Sequence, residues 1–157
     1  MPPVHIRPLA PTDQTAARAL ILEGFREHWG WLDPSLNPDL DDIAASYIAP
    51  GHVFLLAESE QALVGAGALI IRGDSGQIVR VSISPQWRRR GIGRALVAEL
   101  LEAARARGLA RVWMETNDDW NDAVSLYRRC GFQEFDRREG CVFMALKLAG
   151  NPNASGA

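Results

Sequence analysis

Residues 81–96 read Val81-Ser82-Ile83-Ser84-Pro85-Gln86-Trp87-Arg88-Arg89-Arg90-Gly91-Ile92-Gly93-Arg94-Ala95-Leu96. A strand-like run ends at Ser84-Pro85, three arginines fill a short loop, and the pattern then changes period. Apolar residues at Ile92, Leu96, Val97, Leu100, Leu101 and Ala104 have helical spacing with one broad apolar face. The segment is therefore a strand–loop–helix junction. The first amides of a helix have no intrahelical acceptors, and the helix dipole places partial positive charge there. Gly91 and Gly93 lack a Cβ, so a ligand can come close to the backbone. This predicts an anion site of pyrophosphate size, with the arginines adding charge around it.

Taken alone, the R-x-x-G-x-G spacing also fits a solvated turn, a tight strand-to-helix corner or a nucleic-acid contact. It is neither the dinucleotide-binding glycine pattern nor a P-loop.

Working outward, Gln77-Ile78-Val79-Arg80-Val81-Ser82-Ile83 is the strand that enters the junction. Two candidate strands precede it, one over His52-Val53-Phe54-Leu55-Leu56-Ala57-Glu58 and one over residues 62–71. Short turns join the three into an antiparallel meander. After the junction helix, Arg105 and Arg107 suit the last turn and Gly108 the C-cap. Ala110-Arg111-Val112-Trp113-Met114-Glu115-Thr116 is the next strand, and a right-handed crossover makes it parallel to the strand ending at Ile83.

A helix over residues 120–130 follows, with Asp118 or Asp119 as its cap. Residues 132–137 and 141–148 close the chain as a hairpin across Glu139-Gly140. At the other end, Val4-His5-Ile6-Arg7-Pro8-Leu9 reads as a first strand. A helix opens at Pro11-Thr12-Asp13, a loop covers residues 28–34, and a second helix begins at Pro38. The expected order is β-α-α-β-β-β-α-β-α-β-β, an α/β/α sandwich around a mixed, mostly antiparallel sheet.

The 157 residues suit one domain, expected over residues 1–149. The tail, residues 150–157, is small and polar and is expected to be disordered. A net charge of −2 argues against a general affinity for nucleic acid. Cys130 and Cys141 make no metal-binding spacing, so no metal is expected. The N-terminus has no apolar leader and no run reaches membrane-spanning length, so a cytoplasmic protein with no membrane contact is expected.

The junction resembles motif A of the GNAT superfamily of N-acetyltransferases. Ala123-Val124-Ser125-Leu126-Tyr127-Arg128-Arg129-Cys130-Gly131-Phe132 resembles its motif B, in the right order and at the right separation. The resemblance implies acetyl-CoA as co-substrate and direct transfer of its acetyl group to a primary amine, small molecule or peptide, in a ternary complex. The backbone of Val81, Ser82 and Ile83 would pair with the pantetheine arm. The segment Arg88, Arg89, Arg90, Gly91, Ile92, Gly93 and Arg94 would hold the pyrophosphate, chiefly through the amides of residues 89–94. The thioester would lie where the strands ending near Ile83 and Thr116 splay apart.

Tyr127 matches the tyrosine that often protonates the departing thiolate. The asparagine expected seven residues earlier is Trp120, and Asn121 or Asn117 is the nearest substitute. Some relatives use a carboxylate on the strand before the junction as base, but Gln77, Arg80 and Ser82 do not suit that task. Glu115 is the best remaining carboxylate, beside a water relay. A non-catalytic CoA-binding sensor remains the alternative function.

The resemblance also puts the acceptor wall near Phe25, His28, Trp29, Trp31 and Asp33, with Asp39, Asp41 and Asp42 nearby. Aromatics beside acids suit a cationic amine, although the same residues could simply pack the loop and cap the helix at Leu40. Homodimerisation is common among such proteins, with the C-terminal strands as candidates for the contact.

Overall fold

The computed structural model describes residues 2–29 and 37–148, except the side chains of residues 28 and 29. The regular elements are β1 (His5–Pro8), α1 (Gln14–Trp29), β2 (Val53–Ser59), β3 (Ala62–Arg72), β4 (Ser75–Ile83), α2 (Ile92–Ala106), β5 (Arg111–Asn117), α3 (Asn121–Arg129), β6 (Gln133–Arg138) and β7 (Cys141–Lys147).

This is the expected order, with the second helix formed as two short helical turns. The helix expected from Pro38 is replaced by a 3₁₀ turn at Pro38–Leu40 and a π-helical turn at Ala44–Ile48. The reason is a competing side chain. Gln14 Nε2 donates to the Leu40 and Asp41 carbonyls at 2.7 and 3.2 Å, while the Ile43 amide donates to Gln14 Oε1 at 2.8 Å. The first residue of α1 thus occupies backbone groups that a continuous helix would pair internally. Buried Leu40, Ile43 and Tyr47 anchor the segment on α1.

Three element ends also move. Pro11–Asp13 is a 3₁₀ turn ahead of α1, in which Asp13 accepts the Ala10 amide at 2.7 Å. The expected loop over residues 28–34 begins later, because α1 runs through Trp29; residues 30–36 lie outside the described residues. Helix α3 has Trp120 at its N-cap position, one or two residues after the expected Asp118 or Asp119, and the Trp120 side chain makes no cap hydrogen bond. The Asp118 amide donates to the Gly140 carbonyl at 2.8 Å, tying this loop to the β6–β7 turn.

The seven strands form one sheet in the order β1-β2-β3-β4-β5-β7-β6. Every neighbouring pair is antiparallel except β4–β5. Helix α1 with Leu40, Ile43 and Tyr47 covers one face over Phe54, Leu56, Ala66 and Ala68. Helices α2 and α3 cover the other, where Val97, Leu100, Leu101 and Tyr127 pack with Val112, Met114, Val142 and Met144.

The parallel pairing is short. It joins Ser75 to Arg111, Gly76 to Val112 and Gln77 to Trp113, and then stops. Beyond it β4 runs on to Ile83 and β5 to Asn117 with an open gap between them. A bulge in β4 follows directly. Ala66 pairs with Ser82 but Ala68 with Val79, so Arg80 and Val81 together oppose Gly67. Arg80 takes a left-handed φ of +60° there, which costs a non-glycine residue on the order of 1–3 kcal/mol. Such a bulge bends a strand and adds twist.

Candidate active site

The gap between β4 and β5 opens into a cleft of about 1660 Å³. Pockets for one small ligand measure roughly 300–1,000 Å³, so two substrates can fit. The cleft reaches from α1 and Tyr47 on one face, through the gap, to the start of α2 and one side of α3 on the other.

At the α2 end, Gly91 is the N-cap, with φ of +82° and no side chain capping the helix. The first amide to find a backbone acceptor is that of Ala95, which reaches the Gly91 carbonyl at 3.0 Å. The six amides of residues 89–94 donate to nothing among the described residues. The left-handed φ of +62° at Arg89, together with that at Gly91, curves this segment. Consecutive free amides of this kind make an anion-binding concavity.

The two glycines do different things. A Cβ on Gly91 would meet nothing within 4 Å, so that position faces open space. A Cβ on Gly93 would lie 3.3 Å from Leu126, so Gly93 lets α2 approach α3.

The arginines divide as well. Arg88 Nη1 and Nη2 donate to Glu27 at 2.5 and 2.8 Å, and its Nε donates to the Ile83 carbonyl at 3.2 Å. Its guanidinium is thereby turned back toward α1. Arg90 stacks over Trp87 at 4.9 Å and does not line the cleft, whereas Arg89 and Arg94 do. Val81, Ser82 and Ile83 border the cleft, and Ser82 and Ile83 pair with Ala66 and Gly65 of β3 along their other edge.

Tyr127 and Glu115 both line the cleft. Tyr127 is buried, its ring edge-on to Phe132 at 5.3 Å, and its hydroxyl makes no hydrogen bond among the described residues. Burial, with a smaller push from Cys130, raises its pKa above the usual phenol value, so it keeps its proton. Glu115 is exposed and forms no ion pair among the described residues. Its neighbours Val112 and Met114 point into the core under α2, so the alternation of β5 puts Glu115 on the α1 face. Asn117 lines the cleft, whereas Asn121 lies in a smaller recess with Gly24, Glu27 and Arg88.

The α1 end holds a cluster that sequence reasoning did not find. Arg80 Nε and Nη2 donate to the two oxygens of Asp39 at 3.0 and 2.6 Å, and its Nη1 donates to Asn37 at 2.9 Å. Tyr47 donates its hydroxyl to Asp39 at 2.6 Å, and the guanidinium lies 5.4 Å from the Phe25 ring centre. Burial alone would raise the Asp39 carboxyl, but the bonds from Arg80 and Tyr47 outweigh it and hold it below the ordinary value. Tyr47 is pushed up to about 12 by burial and by Asp39.

The other acids expected at this wall serve local structure. Asp42 accepts the Ala45 amide at 3.1 Å, and exposed Asp41 lies 3.8 Å from Arg18. The side chains of His28 and Trp29, and all of Trp31 and Asp33, lie outside the described residues.

The profile of the acetyltransferase (GNAT) family matches residues 16–132. The chain belongs to the GNAT acetyltransferase family. The GNAT match runs from α1 through α3 to Phe132, and so takes in every element around the cleft. The chain is 29% identical over 110 residues to the N-acetyltransferase YjgM of Escherichia coli, covering 68% of this chain and 66% of that protein. It is 33% identical over 123 residues to human N-acetyltransferase 8, covering 74% of this chain and 54% of the relative. The matches thus span about half to two thirds of those relatives' own length. The GNAT fold is shared with PaiA N-acetyltransferase from Thermoplasma acidophilum, solved in complex with coenzyme A. That likeness has a TM-score of 0.83 at 18% identity over 93% of this chain and 99% of that one.

Proposed function

We propose that this chain moves the acetyl group of acetyl-CoA to a primary amine by direct attack within a ternary complex. The observation that carries the reading is the parting of β4 and β5 beside six consecutive amides that are free among the described residues. The amides of residues 89–94 suit the pyrophosphate, with Arg89 and Arg94 adding charge. The open edge of β4 at Val81, Ser82 and Ile83 suits the amide groups of the pantetheine arm. That PaiA, on the same fold, was solved in complex with coenzyme A supports acetyl-CoA as the co-substrate.

The amine arrives protonated and must lose a proton before its nitrogen can attack the thioester carbonyl. Glu115, on the α1 face with no partner among the described residues, takes that proton directly or through water. As the C–S bond breaks, the sulfur receives a proton from Tyr127 on the opposite face. A phenol is a weaker acid than a thiol, and burial of Tyr127 widens that difference. The step is therefore uphill unless donation is concerted with the departure of the sulfur. No acyl-enzyme is needed, which leaves Cys130 and Cys141 outside the chemistry.

The test is thermal shift with acetyl-CoA, coenzyme A and single-stranded DNA, followed by thiol detection across a panel of amines. Stabilisation by acetyl-CoA and release of thiol with any amine support the reading. Stabilisation by nucleic acid alone would overturn it. Binding without turnover on the whole panel would favour a CoA sensor.

A further inference from the structure

Arg80 is an unexpected residue at the acceptor end of the cleft. It sits on a strand in a left-handed conformation that favours glycine, and it brings a cation to the wall where an ammonium group would be expected to dock. The bulge is what puts it there. Val79 packs with the α1 core and Val81 with the α2 core, and the extra residue between them keeps Arg80 on the α1 face beside Phe25 and Tyr47.

The hydrogen bonds define what this wall can hold. Asp39 already accepts two bonds from Arg80 and one from Tyr47, so its oxygens are poorly placed to receive an ammonium group. Arg80 carries five N–H groups, and three are used, by Asp39 and Asn37. One further N–H remains on each terminal nitrogen beyond those bonded to Asp39 and Asn37, and the Tyr47 hydroxyl interacts with the same guanidinium. Two N–H groups on one planar guanidinium match the two oxygens of a carboxylate. Arg72 lines the same end, beside the neutral polar groups of Ser46 and Gln77. Among the described residues that line the cleft, Glu115 is an acid on this face without an ion pair, and it lies across the gap on β5.

Resting on the acyl-transfer reading above, we infer that the acceptor is an amino acid or a similar amine bearing a carboxylate, and that Arg80 docks the carboxylate. The amine would then face the gap and Glu115, while the acid group lies against Arg80, Asn37 and Tyr47. Asp39 has a second role: it orients the guanidinium and tempers its charge, so that the anion is held without being trapped.

The test compares the common L-amino acids with amines that lack the carboxylate. Phenethylamine is set against L-phenylalanine, cadaverine against L-lysine, and spermidine serves as a polycation. Thiol release gives kcat/KM, and calorimetry with acetyl-CoA checks that each variant keeps its cofactor site. The expected result is a preference of at least about tenfold for an amino acid over its decarboxylated partner. Arg80→Gln should reduce that preference to near unity through KM, with acetyl-CoA binding unchanged. Arg80→Lys should restore part of it. Asp39→Asn removes the tempering charge and should increase the preference; this variant keeps the inference testable if Arg80→Gln folds poorly.

A preference for the decarboxylated amines or spermidine would overturn the inference and leave acyl transfer standing. So would an amino-acid preference that Arg80→Gln and Asp39→Asn leave unmoved, which would make Arg80 a strut between β4 and the segment around Asp39. Silence with every amine while acetyl-CoA still binds would overturn the acyl-transfer reading and the inference with it.

Discussion

Tyr127 and Glu115 reach the same cleft from opposite faces of the sheet. Tyr127 comes from α3, packed with Met114 and Phe132 in the core under α2, and Glu115 stands on the α1 face of β5. The gap past Gln77 and Trp113 is what lets groups on the two faces approach one another. A continuous sheet would separate them. In the proposed reaction this separation would put the acid where a thiolate departs and the base where an amine arrives.

Tyr127→Phe removes one oxygen and keeps the ring that packs on Phe132. The hydroxyl makes no hydrogen bond among the described residues, so the fold should lose little stability. Acetyl-CoA affinity by calorimetry should hold, while kcat falls by about 10²–10⁴-fold, the usual range for a lost general acid. Unchanged turnover would remove Tyr127 from the chemistry.

Glu115→Gln keeps the size of the side chain and removes the proton acceptor. Because Glu115 is exposed and unpaired among the described residues, the melting temperature should stay close to that of the parent. The rate at neutral pH should fall by about 10²-fold or more. Raising the pH should recover part of it, since more of the amine then arrives already deprotonated. A variant equally impaired at every pH would point to lost binding and not to a lost base.

Much of this fold can be read from the chain because its signals are local. The apolar period of α2, the left-handed glycines at Gly91 and Gly108, and the Glu139-Gly140 turn each act within a few residues. The parts that could not be read depend on long-range partners. Gln14 and Ile43 are far apart in sequence, yet their contact splits the expected helix after Pro38. Arg88 is held by Glu27, a partner 61 positions away that no local pattern announces. The bulge carries an arginine where a glycine would have announced it, and it shows only in the pairing with β3, where Arg80 and Val81 oppose Gly67. Tyr127 and Glu115 were readable as residues, but their placement on opposite faces needed the sheet.

The amide cradle can be separated from the arginine side chains. Gly91 faces open space at φ of +82°, so Gly91→Val adds backbone strain and a side chain at the mouth of the cradle. Gly93→Val would push on Leu126 and shift α2 relative to α3. Either should weaken coenzyme A binding by more than tenfold, the equivalent of about 1.4 kcal/mol. Arg89→Ala removes an exposed charge and keeps the amide, so it should cost less and lose its effect as salt rises. Titration calorimetry at two ionic strengths would show the order, and the reverse order would move the site from backbone to side chains.

Acid should destabilise this protein through Asp13 and Asp39. Arg7 donates to Asp13 through two nitrogens at 2.7 and 3.0 Å, reaches Glu58 at 2.9 Å, and so ties β1 to the turn ahead of α1. The bonds from Arg7 hold the Asp13 carboxyl below its ordinary value against the opposing effect of burial, with help from the Ala10 amide. Asp39 is lowered in the same direction. A carboxyl lowered in the folded state binds fewer protons there than in the unfolded chain, so its contribution is complete above the unfolded value of about 3.9. It is lost as pH falls through the folded value. Urea unfolding should therefore be nearly constant from pH 7 to 5 as far as these two groups are concerned, and weaken steeply below about pH 4. Asp13→Asn should cost about 1.5–3 kcal/mol at pH 7, typical of a hydrogen bond to a charged group. It should also flatten the acid limb, because the variant has no carboxylate at that position left to protonate. An acid limb unchanged in both Asp13→Asn and Asp39→Asn would assign the acid sensitivity to other carboxylates.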